Sequence, residues 1–291
     1  MVTVSLPFRP PLAIDPLRRF LLAHALPGLD RVDVAAGWLT RAVPDGAGGW
    51  VSATVHLRDP AGQPPHGITV EFATNDARVV AGAGDAVSRW LDLGLDPIGP
   101  DDAFTADPVL GPLVVARPGL RVPGSLDGFE TLVLAVIGQQ VSLAAARKLA
   151  GRLVAGFGVP HGDGLLRFPT AEALAGATAA QLQRVVGTTV ARAATLHGVA
   201  VAVAGGLSLS ADADPGALRR DLLALPGIGA WTADIVAMRV LRDTDAFLPT
   251  DLVLRRALGV RTGREALLLA QPWRPWRAYA LMHLWVREVF A

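Results

Sequence analysis

The chain has 291 residues, of which 51% are hydrophobic, and it carries a net charge of +1 at pH 7. This length and apolar content are enough to bury one large core or two to three smaller ones. The lack of cysteine excludes disulfides, thiolate zinc sites, iron-sulfur clusters and cysteine nucleophiles. No apolar run reaches the roughly 18 residues of a membrane span and no signal-peptide pattern opens the chain, so we expect a soluble cytoplasmic protein.

Histidine and lysine also restrict the chemistry. The six histidines are scattered without the spacing of metal ligands, so a metalloenzyme is not expected. Lys148 is the only lysine and lies on the polar side of a predicted helix, which favours a solvated side chain over a Schiff-base nucleophile. The chemistry is left to carboxylates, hydroxyl groups or this lysine.

The charge is unevenly distributed along the chain. Residues 1–125 contain 10 arginines against 13 acidic residues, a net charge of −3. Residues 126–291 contain 17 basic against 13 acidic residues, a net charge of +4. A polyanion would therefore meet the C-terminal part of the chain.

The first 96 residues predict a small α+β lobe. A helix is predicted over 17–25, followed by β-like segments at 31–43, 49–58 and 66–74. Loops rich in glycine and proline separate these segments, and a helix at 85–94 closes the lobe.

From residue 97 onward the β signal fades and helices are predicted up to the C-terminus. Two apolar helices, broken near Gly138, occupy 127–158, and short helices with Ser, Thr or Asp starts and Gly ends follow. We expect one helical domain over 126–243. A second helical domain would be discontinuous and combine 97–125 with 244–291.

The stretch "LALPGIGAWTADIVAMRV" predicts two helices joined by a tight turn. Gly227 and Gly229 remove side chains where the chain turns, which leaves backbone N–H groups exposed near the positive end of the second helix. Such a turn can bind a phosphate without a charged side chain and is typical of a helix-hairpin-helix that grips a DNA backbone. A simple helix–helix turn with a glycine cap is the alternative.

Asp251 in "LPTDLVLRRAL" lies 22 residues after Gly229, between Pro249 and a predicted helix. Helix capping alone would explain an aspartate at this position. Its pairing with the hairpin instead indicates an enzyme that holds DNA and acts on it. Motifs for dinucleotide binding, phosphate-binding loops and nucleophile elbows are absent from the sequence.

These residues resemble the helix-hairpin-helix DNA glycosylases, in particular the 3-methyladenine DNA glycosylase II (AlkA-type) branch. The resemblance covers "LPGIGAWTA" at 225–233, Asp251, "ARPGLRVPGSLDGFETLVLAVIGQQVS" at 116–142 and "PWRPWRAYALMHLW" at 272–285. It is weakest in the first 90 residues. The implied fold is α+β, with a small N-terminal antiparallel-sheet lobe followed by two all-α lobes.

The resemblance implies hydrolysis of the N-glycosidic bond of alkylated purines, of the 3-methyladenine and 7-methylguanine type, after base flipping. Asp251 would be the catalytic carboxylate. Related enzymes that also cut the strand carry a lysine where this chain has Trp231, so a monofunctional hydrolase without lyase activity is implied. No cofactor is required.

The resemblance also implies which side chains meet the damaged base. The base pocket would be lined by Phe20, Gln139, Trp231, Ile235, Leu252 and Trp285. Aromatic rings suit a cationic base through stacking and cation–π attraction. Gln140 would be the wedge that fills the vacated stack, where the best-known members have leucine. Ile235 and Leu252 replace tyrosines, which affects base selectivity.

Double-stranded DNA with damaged bases is the implied partner, bound by a monomer. Backbone N–H groups of Gly227, Gly229 and Trp231 and the hydroxyl of Thr232 would contact the DNA backbone. A monovalent cation would be held by the carbonyls of Leu223, Leu225 and Ile228 when DNA is bound. The alternatives are a non-catalytic helix-hairpin-helix DNA-binding protein and a glycosylase for another base lesion.

Overall fold

The computed structural model describes residues 1–58 and 67–289, so most of the predicted loop at 59–67 lies outside the described residues. The N-terminal lobe contains a five-stranded antiparallel sheet in the order β1-β5-β4-β3-β2. Its strands are β1 (Val2–Pro7), β2 (Asp30–Asp33), β3 (Trp38–Pro44), β4 (Trp50–His56) and β5 (Gly67–Phe72). Two helices accompany the sheet, α1 (Ile14–His24) and α2 (Ala77–Trp90).

The strand β1 was not predicted from the sequence. It pairs along its whole length with β5, so that Val2 lies opposite Phe72 and Leu6 opposite Ile68. Its residues alternate between half-buried and exposed, as expected for an edge strand with one covered face. The paired residues are 60 to 70 positions apart in the sequence, and local patterning carries no sign of the pairing.

Most elements in the rest of the described chain are helices. The helices are α3 (Ile98–Thr105), α4 (Gly111–Ala116), α5 (Gly128–Gly138), α6 (Leu143–Phe157), α7 (Ala171–Ala175), α8 (Ala179–Val186), α9 (Val190–Ala204), α10 (Pro215–Ala224), α11 (Ala230–Arg239), α12 (Leu252–Leu258), α13 (Gly263–Leu269) and α14 (Arg277–Val289). Between α6 and α7 lie two short paired strands, β6 (Val159–Pro160) and β7 (Leu166–Arg167), which the sequence did not indicate. An antiparallel sheet followed by helices is the predicted fold class.

Side-chain caps fix where many of these helices begin. Asp127, Ser142, Thr170 and Thr178 each accept a hydrogen bond from a backbone N–H in the first turn of the helix that follows. Each such cap satisfies an N–H group that has no partner inside the helix. The Ser142 cap separates α5 from α6 and leaves residues 139–142 as a short connection, named the wedge loop below.

Buried apolar side chains of the described residues form two clusters. One contains residues from α5 to α11, together with Leu26 and Leu29. The other joins the sheet lobe to α3, α4 and the helices after residue 245. Trp273 donates an indole hydrogen bond of 2.7 Å to Asp107, which ties the 97–125 segment to the C-terminal helices. Trp231, Ile235 and Trp285 lie at the margin of this second cluster, half-buried.

Within the described residues no single helix has the length and apolarity needed to cross a membrane. The bent pair α8 and α9 meets those criteria only when the two helices are taken together.

Candidate active site

Asp251 is the N-cap of α12. Its backbone is extended, and its Oδ1 accepts a 2.8 Å hydrogen bond from the backbone N–H of Leu254. Asp251 therefore does cap a helix, which is the alternative explanation for an aspartate at this position. The cap accounts for only one of the hydrogen bonds that the carboxylate accepts.

Two indole rings hold the same carboxylate. Trp231 donates from Nε1 to Oδ2 at 3.1 Å, and Trp285 donates from Nε1 to Oδ1 at 3.1 Å. Hydrogen bonds to an ionised group are stronger than neutral ones and fix its orientation. Each carboxylate oxygen has two lone pairs, so Oδ2, with one donor, keeps a position for water or substrate.

Three distant segments supply this site. Trp231 lies in the first turn of α11, directly after the hairpin, Trp285 lies on α14, and Asp251 precedes α12. The carboxylate and both tryptophans are partly exposed. The hairpin turn and the aspartate are thus adjacent in space, because Trp231 belongs to the first and contacts the second.

The hairpin loop, residues 225–229, has the backbone that its glycines allow. Gly227 has a φ of +86°, and a Cβ added there would lie 2.0 Å from the Thr195 hydroxyl oxygen. A Cβ added at Gly229 meets nothing within 4 Å, so this glycine faces open space. Both glycines are exposed. The first N–H groups of α11 have no partner inside the helix and lie beside them.

Thr232, whose hydroxyl is predicted to contact the DNA backbone, is buried, and that contact stays a prediction. The residue is 1% exposed, and its Oγ1 accepts a 3.0 Å hydrogen bond from the Gln139 side chain. The same amide nitrogen donates to the carbonyl of Gly227 at 3.1 Å. Through these two bonds Gln139, which is predicted in the base pocket, joins the wedge loop to the hairpin. The sequence gives no signal for a bond between residues 93 positions apart.

Phe20, predicted in the base pocket, is buried. It is 7% exposed and belongs to the apolar core. Its ring stacks on His24 with centroids 4.0 Å apart, and the Arg239 guanidinium lies 4.5 Å from its centre. Burial lowers the pKa of Arg239 to about 10, so the guanidinium remains charged at neutral pH. The Phe20 ring contacts these two side chains, and its contact with a base stays a prediction.

The other predicted pocket and wedge residues are accessible. Ile235 lies one helical turn after Trp231 on α11 and is half-buried, while Leu252, next to Asp251, is 67% exposed. Both present apolar side chains. Gln140 is exposed at the tip of the wedge loop with a φ of +55°. Lys148 is exposed within α6.

The carbonyls of Leu223, Leu225 and Ile228 are predicted to hold a cation, and the structure gives a hydrogen bond for one of them. The carbonyl of Leu225 accepts a hydrogen bond from the Ile228 N–H at 3.1 Å, and Leu223 is exposed. Each carbonyl oxygen has two lone pairs, so one hydrogen bond leaves a second position open. The cation stays a prediction. Among the described residues no group of three or more carboxylate or imidazole side chains could hold a metal ion.

A cavity of about 340 Å³ lies elsewhere, lined in part by Asp92, Arg242 and Tyr279. Its polar groups bond to one another: Asp92 accepts from the Tyr279 hydroxyl at 2.9 Å and pairs with Arg242. Burial raises the pKa of the Asp92 carboxyl, and Arg242 opposes that rise. None of the predicted site residues lines this cavity, and its paired groups indicate a structural role.

Two family models together match most of the chain. The family model for the AlkA N-terminal domain matches residues 3–127, and the model for the HhH-GPD superfamily of base excision DNA repair proteins matches residues 133–262. DNA-3-methyladenine glycosylase 2 of Escherichia coli is 34% identical and aligns over 77% of this chain and 78% of its own length. The chain belongs to the AlkA-type helix-hairpin-helix family of base excision DNA repair proteins.

Two further proteins extend the comparison. A protein of Mycobacterium tuberculosis named "Probable bifunctional transcriptional activator/DNA repair enzyme AlkA" is 40% identical over 98% of this chain. The chain spans 56% of the length of that relative. The solved structure of 3-methyladenine DNA-glycosylase from Archaeoglobus fulgidus has the same fold, with a TM-score of 0.81, 24% identity and coverage of 100% of this chain and 99% of that one. The resemblance inferred from the motifs is confirmed.

Proposed function

We propose that this protein is a monofunctional DNA glycosylase that flips alkylated purines out of the duplex and hydrolyses their N-glycosidic bond. One observation carries the proposal: the Asp251 carboxylate accepts hydrogen bonds from Trp231 and Trp285 directly beside the hairpin loop. The arrangement combines a fixed negative charge, two aromatic rings and a phosphate-binding turn. The 3-methyladenine glycosylase names of the relatives suggest the same substrate class.

An alkylated purine of the 3-methyladenine or 7-methylguanine type carries a positive charge and leaves readily, so one carboxylate suffices. As the glycosidic bond breaks, positive charge develops on the sugar, and Asp251 would stabilise it and orient water at C1′. An attraction of about 4 kcal/mol at roughly 4 Å and an effective dielectric of 20 corresponds to about a thousandfold in rate. The two indole donors hold the carboxylate in one orientation.

The test compares release of methylated purines from alkylated duplex DNA by wild type and Asp251→Asn under single-turnover conditions. We expect the variant to fold, bind DNA and lose excision by a factor of about 100 to 1,000. The matched control is Asp214→Asn, because Asp214 also caps a helix, accepting from the Ala217 N–H at 2.6 Å, without belonging to the site. Excision at the wild-type rate by Asp251→Asn would refute the role of Asp251.

The absence of lyase activity is the finer part of this proposal. Trp231 occupies the position of the lysine nucleophile and already donates to Asp251, while Lys148 lies exposed on α6. Borohydride should therefore trap no covalent enzyme–DNA adduct, and the product should keep an intact abasic site. A trapped adduct would overturn the monofunctional assignment.

A non-catalytic DNA-binding protein is the alternative of another class. The hydrogen bonds of Asp251 oppose it, because a helix cap needs neither indole. If wild type binds alkylated DNA but releases no base of any kind, this alternative replaces the proposal.

A further inference from the structure

The wedge loop is bonded to the hairpin through a single side chain. Gln139 ends α5, and its Nε2 donates to the Gly227 carbonyl at 3.1 Å and to the Thr232 hydroxyl at 3.0 Å. Gly227 is the left-handed residue of the hairpin loop, and Thr232 lies in the first turn of α11, the helix that follows. The two bonds thus join the wedge loop both to the turn that would grip a phosphate and to the start of the helix after it.

The chemistry of these bonds specifies an amide. A side-chain NH₂ carries two hydrogens, and the two acceptors of Gln139 use both of them. The Gly227 carbonyl can only accept, so a glutamate at 139 would place a carboxylate against an acceptor. A shorter asparagine would not span the same gap. The position therefore selects glutamine by hydrogen-bond direction and by length.

A second contact holds the same residue from α9. Arg192 donates to the backbone carbonyl of Gln139 and also to the Thr188 hydroxyl at 3.3 Å. The helix that carries Arg192 packs on the hairpin as well, because Thr195 occupies the space where a Cβ of Gly227 would lie. The wedge loop, the hairpin and α9 therefore form one connected unit.

The residue held in place by this unit is Gln140. It is exposed, and its φ of +55° is in the left-handed region, which residues other than glycine rarely adopt. Such a conformation persists only where the surrounding structure fixes it. Gln139, the residue before Gln140, makes the hydrogen bonds that hold this part of the wedge loop.

We propose that Gln139 is a positioning residue that couples the wedge to the phosphate grip, so that binding of the hairpin to DNA places Gln140 in the base stack. The inference rests on the proposed function. Without the coupling, the wedge loop would have to be ordered at each encounter, and flipping of a paired base would become less favourable. Gln139 acts through Gln140 and need not touch the base itself.

The test uses two duplexes that differ only in the residue opposite the lesion. In one the alkylated purine is paired, and in the other it faces an abasic analogue, where no partner base has to be separated from it. Losing the hydrogen bonds should slow single-turnover excision of the paired lesion by Gln139→Glu and Gln139→Met about tenfold or more. Excision opposite the abasic analogue should stay within about twofold of wild type, because the cost of opening a base pair is absent.

Arg192→Met should give the same pattern, since it releases the loop from the other side. Thermal unfolding of each variant reports whether the fold is intact. Equal losses on both duplexes would overturn the proposal, because a general defect of the active site does not distinguish them. Unchanged excision of the paired lesion would overturn it as well.

A readout independent of excision separates this inference from the proposed function. Fluorescence of 2-aminopurine next to a flipped abasic analogue reports insertion of the wedge, in wild type and in Gln139→Glu. If wild type excises nothing, the proposed function fails, while a reduced fluorescence change in Gln139→Glu still supports the coupling. An identical change in both proteins refutes it.

Discussion

At the scale of single residues, Asp251 differs from an ordinary helix cap in the number of its donors. Three N–H groups surround the carboxylate, from Leu254, Trp231 and Trp285. Oδ1 accepts two of them and Oδ2 accepts one. The hydrogen bond from Trp231 therefore orients Oδ2, the oxygen that has room for water or the sugar.

Replacing Trp231 by phenylalanine keeps an aromatic ring and removes this donor. We expect Trp231→Phe to slow single-turnover excision about tenfold, the value of one hydrogen bond to a charged group. Trp273→Phe is the matched control, because it removes an indole bond to Asp107 outside the site and should cost stability without slowing excision. Equal excision rates for Trp231→Phe and wild type would contradict the role given to the donor.

At the scale of elements, the hairpin loop uses its two glycines for different reasons. Gly227 needs a left-handed backbone and space against Thr195, whereas Gly229 has ordinary extended angles and open surroundings. The first glycine is required by the fold. The second leaves the face of α11 free for a ligand that approaches the backbone.

Alanine at each position separates these roles. Gly227→Ala should lower the free energy of unfolding by about 2 kcal/mol or more, from the left-handed backbone and the contact with Thr195. Gly229→Ala should cost at most about 1 kcal/mol, because alanine is a poor N-cap, but weaken DNA binding several-fold. Urea unfolding and fluorescence anisotropy with duplex DNA measure the two effects. Unchanged DNA affinity in Gly229→Ala would show that this face does not meet the phosphate.

At the scale of the whole molecule, a buried ion pair joins the sheet lobe to the helical part. Arg41 of β3 donates to both oxygens of Glu130 on α5, at 2.9 and 3.0 Å, and lies 3.5 Å from Asp30. Burial raises the pKa of the Glu130 and Asp30 carboxyls, and the guanidinium of Arg41 opposes that rise. One cation thus compensates two buried acids, Asp30 within the sheet lobe and Glu130 across the lobe boundary.

Arg41→Met should lower the free energy of unfolding by about 3 kcal/mol or more, because it leaves buried carboxylates without their cation. The double variant Arg41→Met with Glu130→Met should cost less than the sum of the two single variants. The exposed pair of Arg18 and Asp15 supplies the control, since Arg18→Met should cost under about 1 kcal/mol. Urea denaturation measures all four variants, and additive costs would argue against a coupled pair.

Much of the fold could be predicted because its signals are local. Of the three predicted β-like segments, 49–58 and 66–74 coincide with β4 and β5, while 31–43 spans both β2 and β3. Caps with apolar periodicity predicted the helices from α5 to α10. The strand β1 was missed because its partner β5 is distant in the sequence. The strands β6 and β7 were missed because each has only two residues, too few for an alternating pattern. The helix α2 is longer than predicted, starting at a cap formed by Asp76.

The sequence by itself determined the family, the hairpin and the position of Asp251 at the start of a helix. Glycines, a proline and an aspartate at fixed spacing constrain the backbone locally. Only the tertiary structure decided the orientations of side chains from separate helices. It turned both indoles toward Asp251, buried Thr232 and Phe20, and directed Gln139 to the hairpin. Such contacts join residues that are far apart in the chain, and they depend on how the helices pack rather than on any local pattern.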